Sequence, residues 1–401
     1  MKSNCKITFS GDIMLDNSIR EEYRNETKNE YDFNKIFYDV KGLLKNNDYM
    51  VGNLETPISK NKNELKNDKY IFTSPIEFAK AVKNAGFDMV STANNHCLDN
   101  EVNGVKRTLE SLNDVGLEST GIFNKPEKMF IKNINGIKVA FLAATYGTNA
   151  FSNGVYLRRE DKYDVNLLQN QEESDKIKKK IYYSKNIVCR IIRKVLKIMH
   201  YEQLNLQPFE RNEKSLKKKK ILKRKIKKLK ENSDIVIFLM HEGGQYNSSP
   251  SNKTKKTIKF LKKCGTDIII GNHEHVIHPV EINNNSLVAY SLGNFDGING
   301  VLEKPFDKMS EYSILLNIYL NKNERKIEIK KVSFNILKTI KDEENGKKTI
   351  KVEELIKLYE HADRYEKEKL KQDNKKIVEI VTGKEYKNDK IEKENILYVN
   401  S

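Results

Sequence analysis

Short apolar runs that end on polar residues recur along this chain. Residues 5–10 alternate apolar and polar and break at Gly11. DYMVGNLETPI, DMVSTANNHCLDN, KVAFLAATYG, DIVIFLMHEGG, TDIIIGNHEHV and SLVAYSLGNFDG each run from an apolar strand into a polar turn, and such nearly continuous apolar runs suit strands covered on both faces. Between them lie stretches of helical period. Phe33, Ile36, Phe37, Val40, Leu43 and Leu44 make one. SPIEFAKAVKNAGF opens on Ser-Pro and closes on a glycine, so it carries both helix boundary signals. Helices are also expected at about 101–114 and over 251–264. Strands alternating with helices predict an α/β fold. SEYSILLNIYL and RKIEIKKVSFNIL alternate as antiparallel strands do, so the sheets are expected to be mixed.

Two regions break this rhythm. The main domain, residues 1–335, is interrupted by a Lys-rich insert at about 150–232, and a charged extension of helical tendency follows at 336–401. The formal net charge is +17, and it belongs to the insert: residues 176–231 hold 21 Lys and Arg against 4 Asp and Glu, which leaves the rest of the chain neutral. Within it, 181–199 places apolar residues at 187, 188, 191, 192, 195 and 198 with Lys and Arg between them, the pattern of a basic amphipathic helix. Residues 216–230 form a second helix of this kind. Three partners suit the insert: solvent, an anionic membrane surface, and nucleic acid or another acidic polymer. Mean hydropathy is −0.69, and no run reaches the roughly 18 apolar residues of a membrane span. The first residues read as a strand and not as a signal peptide, so the expected compartment is the cytoplasm, with the insert as a route to peripheral membrane association. The four cysteines form no CxxC pair, which argues against a cysteine zinc site.

The strand ends carry the chemistry, as open α/β sheets predict. Asp12 follows the first strand, Glu55 the second, Asn95 and His96 the third, and His241 a later one. His273 and His275 flank Glu274, two residues apart on one side of an expected extended segment. Imidazole and carboxylate together suit one or two divalent ions, Mn, Fe or Zn before others. Glu55 can bridge two such ions, with Asp12 and His275 on one and Asn95, His241 and His273 on the other. A pair of this kind polarises an ester or phosphoryl group, and His96 is then placed as a general acid or as an electrostatic partner.

The motifs GDIML, NLETP, ANNH, HEGGQY, GNHEHV and YSLGNF, in this order, resemble the CapA-type capsule-synthesis (poly-γ-glutamate biosynthesis) family, which is similar in turn to the calcineurin-like metallophosphatases. The resemblance covers about 5–150 and 232–300, with its last strands reaching about 335. It implies a four-layer αββα sandwich of two mixed sheets with metal at the strand C-termini. It also implies metal ligation by Asp12, Glu55, Asn95, His241, His273 and His275, a catalytic His96, and Asn294 in the site wall. The implied partner is an anionic surface polymer or a phosphoester. Two positions depart from the metallophosphatase pattern. Met14 stands where an imidazole is usual, and a thioether is a poor ligand for a hard cation. Glu274 puts an extra carboxylate between the last two histidines. Two functions therefore stay open: a metal-dependent hydrolase or transferase acting on a phosphoester or amide-type backbone, and a non-catalytic part of a polymer-handling assembly.

Overall fold

The computed structural model of the chain describes residues 2–15, 20–25, 30–65, 71–171, 186–198, 213–283, 286–296, 309–324, 326–342, 346–359, 364–388 and 391–400. The largest sheet contains β1 (Lys2–Ile13), β2 (Tyr49–Leu54), β3 (Met89–Ser91) and β4 (Glu118–Thr120), which run parallel. The other sheet contains β5 (Phe130–Ile134), β6 (Ile137–Thr145), β7 (Ile235–His241), β8 (Ile268–Asn272), β9 (Val280–Asn283) and β10 (Ser286–Ala289), in the order β5-β6-β7-β8-β10-β9. Its centre, β6 to β10 through β7 and β8, is parallel, and both edges are antiparallel. The first sheet is extended beyond β1 by antiparallel β11 (Tyr312–Asn323), β12 (Lys326–Asp342) and β13 (Gly346–Lys351), and β14 (Asn395–Val399) also pairs with β12. The fold is mixed α/β with mixed sheets.

Strand neighbours point to opposite faces, and here both faces are apolar. Ile7 and Phe9 of β1, Val139 and Phe141 of β6, Ile235 and Ile237 of β7 and Leu316 and Ile318 of β11 share one core with residues from both sheets. The alternate positions of the second sheet, Ala140, Leu142, Val236, Phe238, Met240 and Ile269, form a different core with Leu222, Ile226 and Leu229. Those three leucine and isoleucine side chains belong to the helix Glu213–Asn232, and the helix Asn252–Cys264 adds Ile258 and Leu261. The other face of the first sheet, with Ile13, Met50, Leu54 and Val90, packs on Phe33, Phe37, Phe78 and Val82. Each such side chain contributes roughly 1.5–3 kcal/mol when fully buried.

Helix boundaries follow local chemistry. Ser251 caps Asn252–Cys264: its Oγ accepts the Thr254 N–H at 3.1 Å, and Gly265 ends the helix at φ 106°. Ile76–Ala85 starts after Pro75 and ends at Gly86. The periodic stretch 33–44 is broken into two four-residue helices joined by a 3-10 turn, Asn34–Phe37, Tyr38–Val40 and Lys41–Leu44.

Two expectations change. Residues 336–401 are helical at Val352–Leu358 and Arg364–Thr382, yet they also supply the end of β12 and all of β13 and β14 to the first sheet. The segment 216–230 is not a free amphipathic helix, because its apolar stripe closes the outer core of the second sheet. Of the stretch 181–199 the described part is 186–198, and His200 and His361 lie outside the described residues.

Candidate metal centre

The parallel strands β1, β2, β3, β7 and β8 deliver polar residues to one buried place. The pairing of β1 with β2 shifts register between Phe9 and Asp12, a bulge that re-aims the strand end. Here the backbone of Asp12 is gripped by the segment after β10: its N–H donates to Gly293 O at 3.0 Å and its carbonyl accepts from the Phe295 N–H at 2.9 Å. The approach is so close that a Cβ on Gly11 would lie 1.8 Å from the Gly293 carbonyl oxygen, so only glycine fits. The Asp12 carboxylate accepts from Asn53 Nδ2 at 2.7 Å and from the His273 backbone N–H at 3.1 Å, and lies 3.2 Å from His275 Nδ1.

The remaining expected residues join it. His241 Nε2 lies 2.7 Å from Asn95 Oδ1, 3.1 Å from His273 Nδ1 and 3.5 Å from Glu55 Oε1. His275 Nδ1 lies 2.8 Å from Asn294 Oδ1, and its Nε2 is 3.9 Å from Glu55 Oε1. Asp12, Glu55, Asn95, His241, His273, His275 and Asn294 are all buried. His96 stands beside this set. Its Nδ1 is 2.6 Å from Asp99 Oδ2, and its ring packs on Phe72 with centroids 4.3 Å apart.

The expected extended His-Glu-His segment is instead a bend. His273 and His275 have φ of 99° and 59°, a left-handed conformation rarely taken by residues other than glycine. The turn sends the two imidazoles to different partners with ring centroids 5.8 Å apart. Glu274 is buried, and its carboxylate accepts the Gly244 N–H at 3.1 Å. A Cβ on Gly243 would lie 2.1 Å from that carboxylate, so Glu274 anchors the loop that brings Gln245 and Tyr246 over His275.

Several participants had a weaker sequence signal. Asn53 lies two residues before Glu55, on the same side of the strand, and its amide joins Asp12 to His241 Nδ1 at 3.3 Å. Asp99, three residues after His96, also accepts the Phe72 N–H at 2.9 Å. Asn94 fixes the loop between β3 and His96, donating to Leu54 O at 2.7 Å. Asp296 accepts the Met14 N–H at 2.8 Å, which sets the course of the chain just past Asp12.

The donor set suits a divalent cation. Among the described residues, Glu55 with His241 and His273, and Asp12 with Glu55 and His275, each place ligand atoms within 4.8 Å of one another. Glu55 belongs to both groups, and both of its buried oxygens lack a hydrogen-bond partner. A buried carboxylate in that state is costly unless a cation compensates it. The surrounding charges point the same way. Burial opposes ionisation of Asp12, but the hydrogen bond and charge of His275, then His241 and Asn53, hold its carboxyl below the usual range. Burial would lower the pKa of His275, whereas Glu55 and then Asp12 push it up to about 9. His96 is likewise raised, because Asp99 outweighs the effect of its burial.

Comparison with known proteins shows the family. The family described as bacterial capsule synthesis protein PGA_cap matches residues 6–298, and the chain belongs to that family. The capsule biosynthesis protein CapA of Bacillus anthracis is 28% identical over 302 residues, covering 73% of this chain and 60% of that protein. The PGA biosynthesis protein CapA of Bacillus subtilis (strain 168) is 25% identical over 321 residues, covering 79% of this chain and 68% of the relative. The chain thus spans 60% of the first relative's length. Among solved structures, a hypothetical protein from Thermus thermophilus aligns with a TM-score of 0.39 and 10% identity, over 82% of this chain and 98% of that one.

Proposed function

We propose that this member of the capsule-synthesis family is a metal-dependent enzyme that cleaves or transfers a phosphoester or amide-type bond in making or processing an anionic surface polymer of the poly-γ-glutamate type. The observation that carries the reading is Glu55, a buried carboxylate shared by two ligand groups and left without hydrogen-bond partners. Asp12, Glu55 and His275 would hold one ion, and Glu55, Asn95, His241 and His273 a second, with Mn, Fe or Zn suited to these nitrogen and oxygen donors. A bound divalent cation supplies Lewis acidity to a phosphoryl or carbonyl oxygen. The chain's own residues do the rest. Asp99 holds His96 Nδ1 at 2.6 Å and favours the protonated ring, so His96 is placed to give a proton to a leaving group. Asn294 and Asp12 together fix the ring of His275. The two sheets with a core between them and a helix-covered core outside each support the four-layer αββα arrangement of the calcineurin-like metallophosphatases, interrupted by the insert.

Met14 favours a second reading. With a thioether in place of an imidazole, the group around Asp12 is the poorer of the two, and the protein can serve as a structural part of a polymer-handling assembly. Metal analysis of the purified full chain, with turnover of bis-p-nitrophenyl phosphate and of poly-γ-glutamate, separates the two. The enzyme reading expects stoichiometric metal and turnover; His241→Ala and His273→Ala should each lose turnover and the ion of the group they share with Glu55. Undiminished metal content in the two variants would refute the ligand assignment; a metal-free, inactive wild type supports the structural role.

A further inference from the structure

The insert carries two basic helices of similar sequence character that end up in opposite situations. Glu213–Asn232 buries Leu222, Ile226 and Leu229 in the outer core of the second sheet. In Ile187–Ile198 the described aliphatic side chains of the stripe stay exposed. Ile187, Val188, Ile191, Ile192 and Val195 are 62%, 56%, 55%, 37% and 44% exposed. At about 100° per residue these five positions occupy an arc of about 140° on one side of the helix. Arg190 and Lys194, both exposed, lie along one edge of this arc, about 60° and 20° outside it. The helix contains no acidic residue. Scattered exposed aliphatic residues need no explanation, but five on one arc do.

We infer that residues 187–198 dock the protein on an anionic lipid surface, with the aliphatic arc in the boundary between headgroups and acyl chains. Two observations select lipid. The first is charge: the 21 basic residues against 4 acidic ones in 176–231 are a field for an anionic surface, while the rest of the chain is neutral. Each basic residue close to such a surface strengthens binding about fivefold. The second is the form of the helix. A basic polar side and an aliphatic side together are the pattern that lies in a membrane interface; nucleic acid would use the charge and leave the aliphatic arc in water. No described helix is long and apolar enough to cross a membrane, so attachment through this helix would be peripheral. The docking does not depend on the metal centre, whose ligands come from the strand ends of the two sheets.

Flotation of the purified full chain with vesicles tests the inference. Wild-type protein should float with vesicles made one-third of phosphatidylglycerol in phosphatidylcholine, stay behind with pure phosphatidylcholine, and be released by high salt. Ile191→Asp with Val195→Asp should cut the bound fraction by more than an order of magnitude. Arg190→Glu with Lys194→Glu should weaken it by about 25-fold or more, from fivefold per residue. All four positions are exposed, so circular dichroism and metal content should stay at wild-type values. Absence of wild-type binding to the anionic vesicles overturns the inference. So does binding that survives Ile191→Asp with Val195→Asp, since charge elsewhere would then suffice. A wild-type dimer that these two substitutions split, without vesicle binding, would make a second copy of the chain the occupant of the face.

Discussion

Loading the centre with a divalent cation should expel a proton from His275, and the affinity of the Asp12–Glu55–His275 group should rise with pH. Burial alone would lower the pKa of that imidazole, but Glu55 and then Asp12, 3.2 Å from Nδ1, push it up to about 9. A doubly protonated ring has no free nitrogen for a cation, so below that pKa binding must displace one proton. Each pH unit below 9 therefore weakens binding about tenfold, or about 1.4 kcal/mol. At pH 7 the deficit is a factor on the order of 100, roughly 3 kcal/mol. The same shift acts on the metal-free fold with the opposite sign. A histidine raised from 6.5 to about 9 gives stability that is fully present below pH 6.5 and is lost as pH rises through 9. Metal should therefore stabilise the protein most at the alkaline end. Calorimetric titration of metal-stripped full chain with Mn²⁺ or Zn²⁺, in two buffers of different ionisation enthalpy, measures the proton directly. About one proton per ion at this group is expected at pH 7, with log affinity rising by one per pH unit and levelling above about 9. Proton-free binding with affinity constant from pH 7 to 9 would refute the electrostatic account of His275.

Other expectations are narrower. Glu55→Gln removes the carboxylate common to both ligand groups, so elemental analysis should show loss of all bound metal, while loss of His273 touches only one group. Asp99→Asn removes the main opposite charge on His96; an NMR titration of the His96 ring should show deprotonation at lower pH than in wild type, and an unchanged midpoint would remove Asp99 from its positioning role. Gly271→Ala would set a Cβ 2.0 Å from the Tyr290 carbonyl oxygen, in backbone that cannot yield as a side-chain tip can. Overpacking of this kind costs typically about 1–3 kcal/mol and sometimes more, so urea denaturation should show a lowered midpoint, with metal affinity reduced because His273 and His275 follow directly on this strand.

Strand-end chemistry was readable because apolar runs and the polar residues after them are both local. Asp12, Glu55, Asn95, His241, His273 and His275 converge as their positions predict, and so do the helix limits that rest on Ser251, Gly86 and Gly265. What escaped depends on partners distant in sequence. The bend at His273 and His275 needs left-handed backbone at two histidines, held by the Asp12 carboxylate on the His273 N–H and by Glu274 on Gly244. Asn53 is an ordinary strand residue until Asp12 and His241 are placed beside it. Strand Gly346–Lys351 hides in a lysine-rich stretch because only Thr349, Ile350 and the pairing with β12 reveal it.

The two insert helices show the same limit most sharply. Residues 187–198 and 216–230 both set aliphatic positions among Lys and Arg, and helical period treats them alike. Their fates divide on whether an uncovered apolar sheet face lies within reach. Val236, Phe238 and Met240 of β7 present one to Leu222, Ile226 and Leu229. Ile187, Val188, Ile191, Ile192 and Val195 meet no such face among the described residues and stay exposed. An amphipathic stripe specifies that an apolar surface must be found. Only the tertiary fold decides whether the protein supplies that surface itself, and among the described residues it supplies it to one of the two helices, which is why the remaining stripe is better suited to a surface outside the chain.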